Sequence, residues 1–144
     1  MVKGLAHVCF VVKSLEASRK FYCDGLGLKP AFEFRNARGE RVGLYLHLGE
    51  RTFIELFAGG PGAAAPDASF RHICIEVDDV AAEVARIRRA GIEIGDPKLG
   101  ADRSWQAWLS DPDGNRIELH GYTVESSQCR FLSDPARPAA PVIV

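Results

Sequence analysis

Two short motifs each occur twice in this chain, and their spacing indicates that one module is written twice. Ile-Glu-Leu stands at 54–56 and 117–119, and a His-apolar-Cys tripeptide stands at 7–9 and 72–74. The two histidines are 65 positions apart (72 − 7), and the two glutamates are 63 positions apart (118 − 55). Such a repeat constrains the architecture more than any other feature, because each half must form the same supersecondary unit.

The hydrophobic pattern predicts the same series of elements, β-α-β-β-β, in both halves. The first half has a predicted strand over 5–12, a helix that begins after Ser14 and ends near Gly25 and Gly27, and strands over 29–34, 41–48 and 51–57. The second half has a predicted strand over 70–77, a helix that begins after Asp78 or Asp79 and ends at Gly91, and strands over 92–94, 105–109 and 116–120.

We therefore predict one α+β domain over residues 1–123. It consists of modules 4–58 and 69–122, joined by a Gly-, Ala- and Pro-rich linker at 58–69. Residues 124–144 lose the apolar pattern and are predicted to form an extended C-terminal extension.

Charge and composition argue against two classes of partner. The 144 residues carry a formal charge of −1, so the chain lacks the basic excess that nucleic-acid or membrane-surface binding needs. No apolar run approaches the about 18 residues of a membrane span. We expect a cytoplasmic protein, because the start of the chain does not resemble a signal peptide and its four cysteines show no CxxC spacing.

His7, Glu55, His72 and Glu118 each fall in a predicted strand and have apolar neighbours on both sides. Ionised carboxylates are rarely placed in such strands unless they are paired or bound to a metal, because their desolvation is costly. Two imidazoles and two carboxylates suit one divalent ion per site, with Zn, Ni, Co, Mn or Fe as candidates. The alternative is two satisfied core histidines and two glutamates on half-exposed strands. The match to the internal repeat favours the metal.

The paired modules, the histidine near the start of each and the Asp-Pro-Asp-Gly-Asn-Arg-Ile-Glu-Leu segment at 111–119 resemble the vicinal oxygen chelate superfamily. That superfamily includes glyoxalase I, extradiol dioxygenases, methylmalonyl-CoA epimerase, fosfomycin-modifying transferases and bleomycin-binding proteins. The resemblance covers about residues 4–122. It implies a cup-shaped, eight-stranded mixed sheet that holds the metal on its open face, and a homodimer.

By ligand set the chain looks most similar to glyoxalase I, which carries His, Glu, His and Glu in this order. The resemblance implies a metal-dependent lyase or isomerase acting on a small oxygenated substrate of the hemithioacetal type. Glu55 and Glu118 are then the catalytic candidates for proton transfer. The Arg and Asn that glutathione-using members carry are absent from 9–12 and 56–59, which argues against glutathione. A non-haem Fe(II) dioxygenase using His7, His72 and Glu118, and a metal-free module that binds a drug or metabolite, are the alternatives.

Further residues are candidates for contact with a substrate. Cys9 and Cys74 follow the two histidines by two positions and share their faces, as small wall residues or as soft ligands. His120 is either a partner of Glu118 or a solvent-exposed strand end.

Trp108 and Gln106 share the face of Glu118 only if five residues separate their strands, because a shift of one residue reverses every side chain. The same question of register applies to Tyr45, His47, Phe53 and Phe57 on the first hairpin.

Overall fold

The computed structural model of the protein describes residues 1–62 and 69–135. Its elements are β1 (His7–Val12), α1 (Leu15–Arg19) with a π-helical continuation (Lys20–Gly25), β2 (Lys29–Arg35), β3 (Arg41–Gly49), β4 (Thr52–Ala58), β5 (Ile73–Glu76), α2 (Val80–Arg89), β6 (Lys98–Leu99), β7 (Trp105–Ser110), β8 (Arg116–Gly121) and α3 (Ser127–Ser133). Part of the predicted linker, 63–68, and the end of the predicted extension, 136–144, lie outside the described residues. No helix in the described part of the chain is long and apolar enough to cross a membrane.

The eight strands form two four-stranded mixed sheets with the same order. The first sheet has the order β1-β4-β3-β2, and the second has the order β5-β8-β7-β6. In each sheet the first strand of the module runs parallel to the last, and the other neighbours are antiparallel. The predicted α+β class and the paired βαβββ modules are therefore confirmed.

Of the residues that the structure describes, the first compact unit comprises 1–62 and the turn 111–115. Alternate strand residues such as Leu46, Ile54 and Leu56 are fully buried, as the period of a half-buried strand requires. Tyr22 is also fully buried, and its hydroxyl donates to Asp111 Oδ2 over 3.0 Å. Asp113 Oδ1 accepts from the backbone N–H of Lys13 over 3.1 Å. The turn 111–115 is therefore an integral part of this unit.

Among the described residues, the second compact unit comprises 69–110 and 116–135. Its helix α2 begins after Asp79, whose side chain accepts from the N–H of Ala82 over 3.0 Å and so caps the helix. The apolar face of α2 buries Val80, Val84 and Ile87, each worth roughly 1.5–3 kcal/mol when fully removed from water. Gly91, at φ 79°, takes the left-handed conformation that ends the helix.

Five residues connect β7 to β8, which settles the register left open by the sequence. Ser110 pairs with Arg116, and between them Asp111 Oδ1 accepts from the N–H groups of Asp113 and Asn115 at 3.0 and 2.8 Å. Gly114 adopts φ 89°, which favours glycine. Trp108 consequently pairs directly with Glu118 and shares its face.

Two predicted strands were wrong in extent or in kind. No strand forms over 92–94; Ile94 is buried, but Gly95 makes a single backbone bond to Trp108, and the paired strand is β6 instead. The segment is therefore apolar because Ile94 is buried, although its backbone does not pair as a strand. β5 begins at Ile73, not at residue 70, so His72 lies one residue before the strand rather than inside it.

Two helical features also differ from the prediction. The first helix widens into a π-helix, in which Leu26 N–H bonds to Phe21 C=O. The C-terminal extension contains α3, where extended chain was predicted. At the start of this helix the N–H of Ser127 donates to the C=O of Asp102, which lies outside the helix, over 2.9 Å. Tertiary hydrogen bonds of this kind leave no local pattern in the sequence.

Candidate metal centre

In the first unit, Glu55 lies at the middle of β4 between two facing residues on the same side of the sheet. Cys9 of β1 and Tyr45 of β3 are its direct partners in register. The neighbouring residues Ile54 and Leu56 point into the core and are fully buried. Strand alternation thus holds Glu55 on the face opposite the core.

Glu55 forms a loose pair with His7. Their Oε2 and Nε2 atoms are 3.8 Å apart, and the side chains are 17% and 43% exposed. The other ring nitrogen, Nδ1, lies 3.0 Å from the hydroxyl of Tyr45. When Nδ1 donates to this hydroxyl, Nε2 presents its lone pair on the side of Glu55, the arrangement that a metal-binding imidazole needs.

Aromatic rings surround this pair. Tyr45 stacks on Phe32 and Phe53 with ring centres 4.6 and 4.9 Å apart, and Phe34 lies 4.9 Å from Phe57. The register of β3 and β4 settles the question that the sequence left open: Tyr45, His47, Phe53 and Phe57 lie on the same face as Glu55. The first unit therefore presents a His–Glu pair within a largely apolar, aromatic surface.

In the second unit, Glu118 of β8 occupies the equivalent place. Its direct partners are Cys74 of β5 and Trp108 of β7. His72 Nε2 lies 3.2 Å from Glu118 Oε2, and the two side chains are 35% and 8% exposed. The ring of His72 packs edge-on against Trp108 at 4.9 Å, and the Arg116 guanidinium lies 4.5 Å above the Trp108 ring.

Glu118 has a second imidazole partner that Glu55 lacks. His120 Nδ1 lies 3.2 Å from Glu118 Oε1, and His120 Nε2 lies 3.7 Å from Asp102 Oδ2. Asp102 accepts from Gln128 Nε2 at 2.7 Å and from the N–H of Ser104 at 3.2 Å. Burial acts to raise the pKa of Asp102, but these hydrogen bonds outweigh it and hold the pKa below its usual value.

The cysteines that follow the two histidines are poorly ionised. Loss of hydration, reinforced by Glu55, raises the pKa of Cys9 to about 11. Loss of hydration and the nearby carboxylate of Glu118 raise the pKa of Cys74 to about 12. Both thiols therefore lie close enough to the carboxylates for the negative charge to disfavour the thiolate.

The predicted site residues fall into two groups, one in each unit. The first group contains His7, Cys9 and Glu55. The second group contains His72, Cys74, Gln106, Trp108, Glu118 and His120. In this second group Gln106 pairs in register with His120. Asp102 and Gln128 were missed by the sequence analysis. Both lie outside the repeat motifs, in a loop and in α3, and no local pattern marks them.

The donor chemistry of both groups fits a divalent ion. Each pair combines an imidazole nitrogen with a carboxylate that is largely withdrawn from water, and nitrogen with oxygen suits the borderline metals. In the described part of the chain, one cluster has three ligand atoms within 4.8 Å of one another: Cys74, Glu118 and His120.

Comparison with known proteins identifies relatives of the whole repeat. A family model described as the Glyoxalase/Bleomycin resistance protein/Dioxygenase superfamily matches residues 4–119. An ethylmalonyl-CoA/methylmalonyl-CoA epimerase from Cereibacter sphaeroides is 30% identical over 129 residues, 80% of this chain and 93% of that protein. A probable lactoylglutathione lyase from Synechocystis is 31% identical over 123 residues, 80% of this chain and 92% of that protein. The crystal structure of TnmS3, an antibiotic binding protein from Streptomyces sp. CB03234, has a TM-score of 0.69 at 28% identity, covering 85% of this chain and 98% of TnmS3.

Proposed function

The chain belongs to the Glyoxalase/Bleomycin resistance protein/Dioxygenase superfamily, and from that premise we propose that it is a metal-dependent lyase or isomerase of the glyoxalase I type. Its substrate would be a small oxygenated molecule of the hemithioacetal type. Its reaction would be the movement of a proton between neighbouring carbon atoms.

One observation carries the proposal: each unit places a His–Glu pair at the equivalent point of an equivalent sheet. Cys9 pairs with Glu55 in the first sheet as Cys74 pairs with Glu118 in the second. A pair of this kind in one unit alone is compatible with an ordinary surface ion pair. Its repetition, with both carboxylates largely buried, favours a shared chemical role.

We propose His7, Glu55, His72 and Glu118 as the ligands of one divalent cation per site. When bound, such a cation acts as a Lewis acid that stabilises negative charge on substrate oxygens. The choice among Zn, Ni, Co, Mn and Fe is a matter for metal analysis.

Glu55 and Glu118 are the proposed proton carriers. A carboxylate accepts the proton from a carbon next to a carbonyl and returns it to the adjacent carbon, which needs a base within hydrogen-bonding reach of the substrate. Glu118 is held by imidazoles at both oxygens, at 3.2 Å each, and is therefore the more firmly oriented of the two.

The remaining proposed site residues would contact the substrate. Cys9, Cys74, Gln106, Trp108 and His120 are the candidates from the sequence. Two relatives are named as an ethylmalonyl-CoA/methylmalonyl-CoA epimerase and a probable lactoylglutathione lyase, but in this chain the missing Arg and Asn argue against glutathione as the thiol. A cytoplasmic location and a homodimer also belong to this proposal.

The test measures carbon-bound proton exchange. The full chain is stripped with chelator, reloaded with each candidate metal, and incubated in D2O with methylglyoxal hemithioacetals of several thiols and, separately, with methylmalonyl-CoA. We expect metal-dependent deuterium incorporation, seen by proton NMR, that Glu55→Gln and Glu118→Gln abolish. The control Glu93→Gln changes an exposed carboxylate of the second unit and should retain full exchange. Full exchange in both site variants would falsify the proton-carrier roles.

A second candidate function is binding of an aromatic drug or metabolite without chemistry. The stacked rings around Tyr45 favour it, as does the similarity to TnmS3, whose name describes antibiotic binding. This function predicts saturable quenching of protein fluorescence by aromatic antibiotics that chelator leaves unchanged. Binding that requires the metal would count against it.

A further inference from the structure

Within the described residues, the second unit contains a donor set that the first lacks. Cys74 and Glu118 are direct partners on β5 and β8, and His120 lies two residues further along β8 on the same face. Their ligand atoms all lie within 4.8 Å of one another. Around a tetrahedral zinc ion, bonds of about 2.0–2.3 Å place ligand atoms about 3.3–3.8 Å apart. Small side-chain rotations would therefore bring all three donors onto one ion.

His120 is a buried imidazole that lies between two carboxylates. Its side chain is only 8% exposed, and Nε2 has no hydrogen-bond partner within residues 1–62 and 69–135. Both ring nitrogens face carboxylates, Nδ1 towards Glu118 at 3.2 Å and Nε2 towards Asp102 at 3.7 Å. An imidazole ring offers two nitrogens, so one can bind a metal ion while the N–H of the other is directed at a carboxylate.

A cation between His120 Nδ1 and Glu118 Oε1 would give both ring nitrogens a partner. The lone pair of Nδ1 would then bind the ion, and Nε2–H would be directed at Asp102. This is the usual environment of a metal-binding histidine, whose second nitrogen faces a carboxylate. Asp102 is itself fixed by Gln128 at 2.7 Å and by the N–H of Ser104 at 3.2 Å, so it can orient the ring.

The first unit shows that this set is specific to the second. Cys9 and Glu55 are paired in register as Cys74 and Glu118 are, but the residue two positions after Glu55 is Phe57, which offers no ligand atom. The second unit can also add a fourth donor, since His72 Nε2 lies 3.2 Å from Glu118 Oε2.

We propose that Cys74, Glu118 and His120 form a thiolate-containing site for a zinc-class divalent cation. All three donors lie in the second unit, so the site does not depend on the four-ligand set proposed above, with which it shares Glu118. A sulfur ligand selects zinc or cobalt over magnesium and manganese. Binding transfers the thiol proton of Cys74 to solvent, so one proton is released for each ion bound.

Cobalt is the probe, because thiolate bound to Co(II) gives a charge-transfer band in the near ultraviolet that nitrogen and oxygen ligands do not give. The full chain, stripped with chelator and kept reduced, is titrated with CoCl2 and then with ZnCl2 as competitor. We expect the sulfur band in the wild type and in Cys9→Ser, its loss in Cys74→Ser and Cys74→Ala, and displacement of cobalt by zinc. Asp102→Asn should keep the band and weaken metal affinity about 10–100-fold. Circular dichroism verifies that each variant is folded.

A double variant, His7→Ala with Glu55→Gln, separates this site from the function proposed above. The thiolate site predicts that the double variant keeps the sulfur band. Cobalt bound without a sulfur band in the wild type, and lost in the double variant, would overturn the thiolate site while supporting the four-ligand set. A band that survives in Cys74→Ser would also overturn it.

Discussion

The two units share one backbone plan but surround their glutamates differently. In the first, Glu55 lies among aromatic rings and has one imidazole neighbour; in the second, Glu118 is almost fully buried between His72 and His120. The repeat preserves the strands and the helix caps. The residue two positions after the glutamate differs, and it is Phe57 in the first unit and His120 in the second. The two units therefore share the backbone frame of the site but differ in the polarity around it.

The largest expected effect compares the two carboxylates in catalysis. Both Glu118→Gln and Glu55→Gln should lower turnover by about 10²–10⁴-fold, the usual contribution of a positioned acid or base. Glu118→Gln should have the larger effect, because its side chain is more buried and both of its oxygens have imidazole partners. Initial rates at saturating substrate, with metal content measured for each variant, provide the test. A larger loss in Glu55→Gln would reverse the assigned asymmetry.

The second prediction concerns two buried residues 65 positions apart, Tyr22 and Ile87 (87 − 22), which are both fully buried. Tyr22→Phe removes the hydrogen bond to Asp111 and should lower the free energy of unfolding by about 1.5–3 kcal/mol, the range for bonds to charged groups. Ile87→Val, the matched change in the second unit, should cost about 0.5–1.5 kcal/mol. Urea denaturation measures both.

The pKa of Tyr22 also predicts the direction in which folding stability changes with pH. Burial, followed by the charge of Asp111, raises the pKa of Tyr22 above its usual value of 10.0. The folded state therefore holds this proton where the unfolded state releases it, and stability is full below about pH 10 and falls as the pH rises further. Tyr22→Phe should flatten that fall. An identical alkaline decline in the variant would contradict this assignment.

The third prediction compares the equivalent thiols. Loss of hydration, reinforced by the neighbouring glutamate, raises the pKa of both thiols, to about 11 for Cys9 and about 12 for Cys74. In chelator at pH 8, alkylation of Cys74 by iodoacetamide should therefore be slower than that of Cys9. Peptide mass spectrometry measures both in one sample. Faster labelling of Cys74 would contradict the stronger suppression of its thiolate.

The smallest expected effect concerns the helix caps. Ser14 and Asp79 stand 65 positions apart (79 − 14), and each accepts from the N–H three residues later, at 3.2 and 3.0 Å. Ser14→Ala and Asp79→Ala should each lower the unfolding free energy by about 1 kcal/mol. The loss for Asp79 should be slightly greater, because its negative charge also interacts with the helix dipole. Equal thermal shifts would show that the charge adds nothing.

Much of the fold was predictable because it rests on local chemistry. Neighbouring residues determine the caps at Ser14 and Asp79, the strand alternation and the Asp-Pro-Asp-Gly-Asn turn. The resemblance to the superfamily is confirmed by the match over 4–119. At its first residue α3 donates a hydrogen bond to the distant Asp102, which no local pattern predicts. The sequence pattern also missed the π-helix and misplaced β6, whose pairing with β7 is local.

The candidate site divides in the same way. The two repeat offsets predicted that the histidines and the glutamates occupy equivalent places in the two units. They did not predict that each histidine pairs with the glutamate of its own unit. The network behind His120 was not predictable either, because Asp102 reaches it from a loop and Gln128 from a helix with no buried residues. The roles of all these residues in metal binding and catalysis stay predictions until the variants are measured.

Because the turn 111–115 belongs to the first unit, that unit is complete only after residue 115 has been synthesised. Residues 1–62 leave the ribosome before Asp111 does, so the nascent N-terminal half emerges without the partner of the Tyr22 hydroxyl. A fragment that stops after residue 68 should therefore be prone to aggregate. Co-expression of the missing C-terminal half should rescue it better than a chaperone alone.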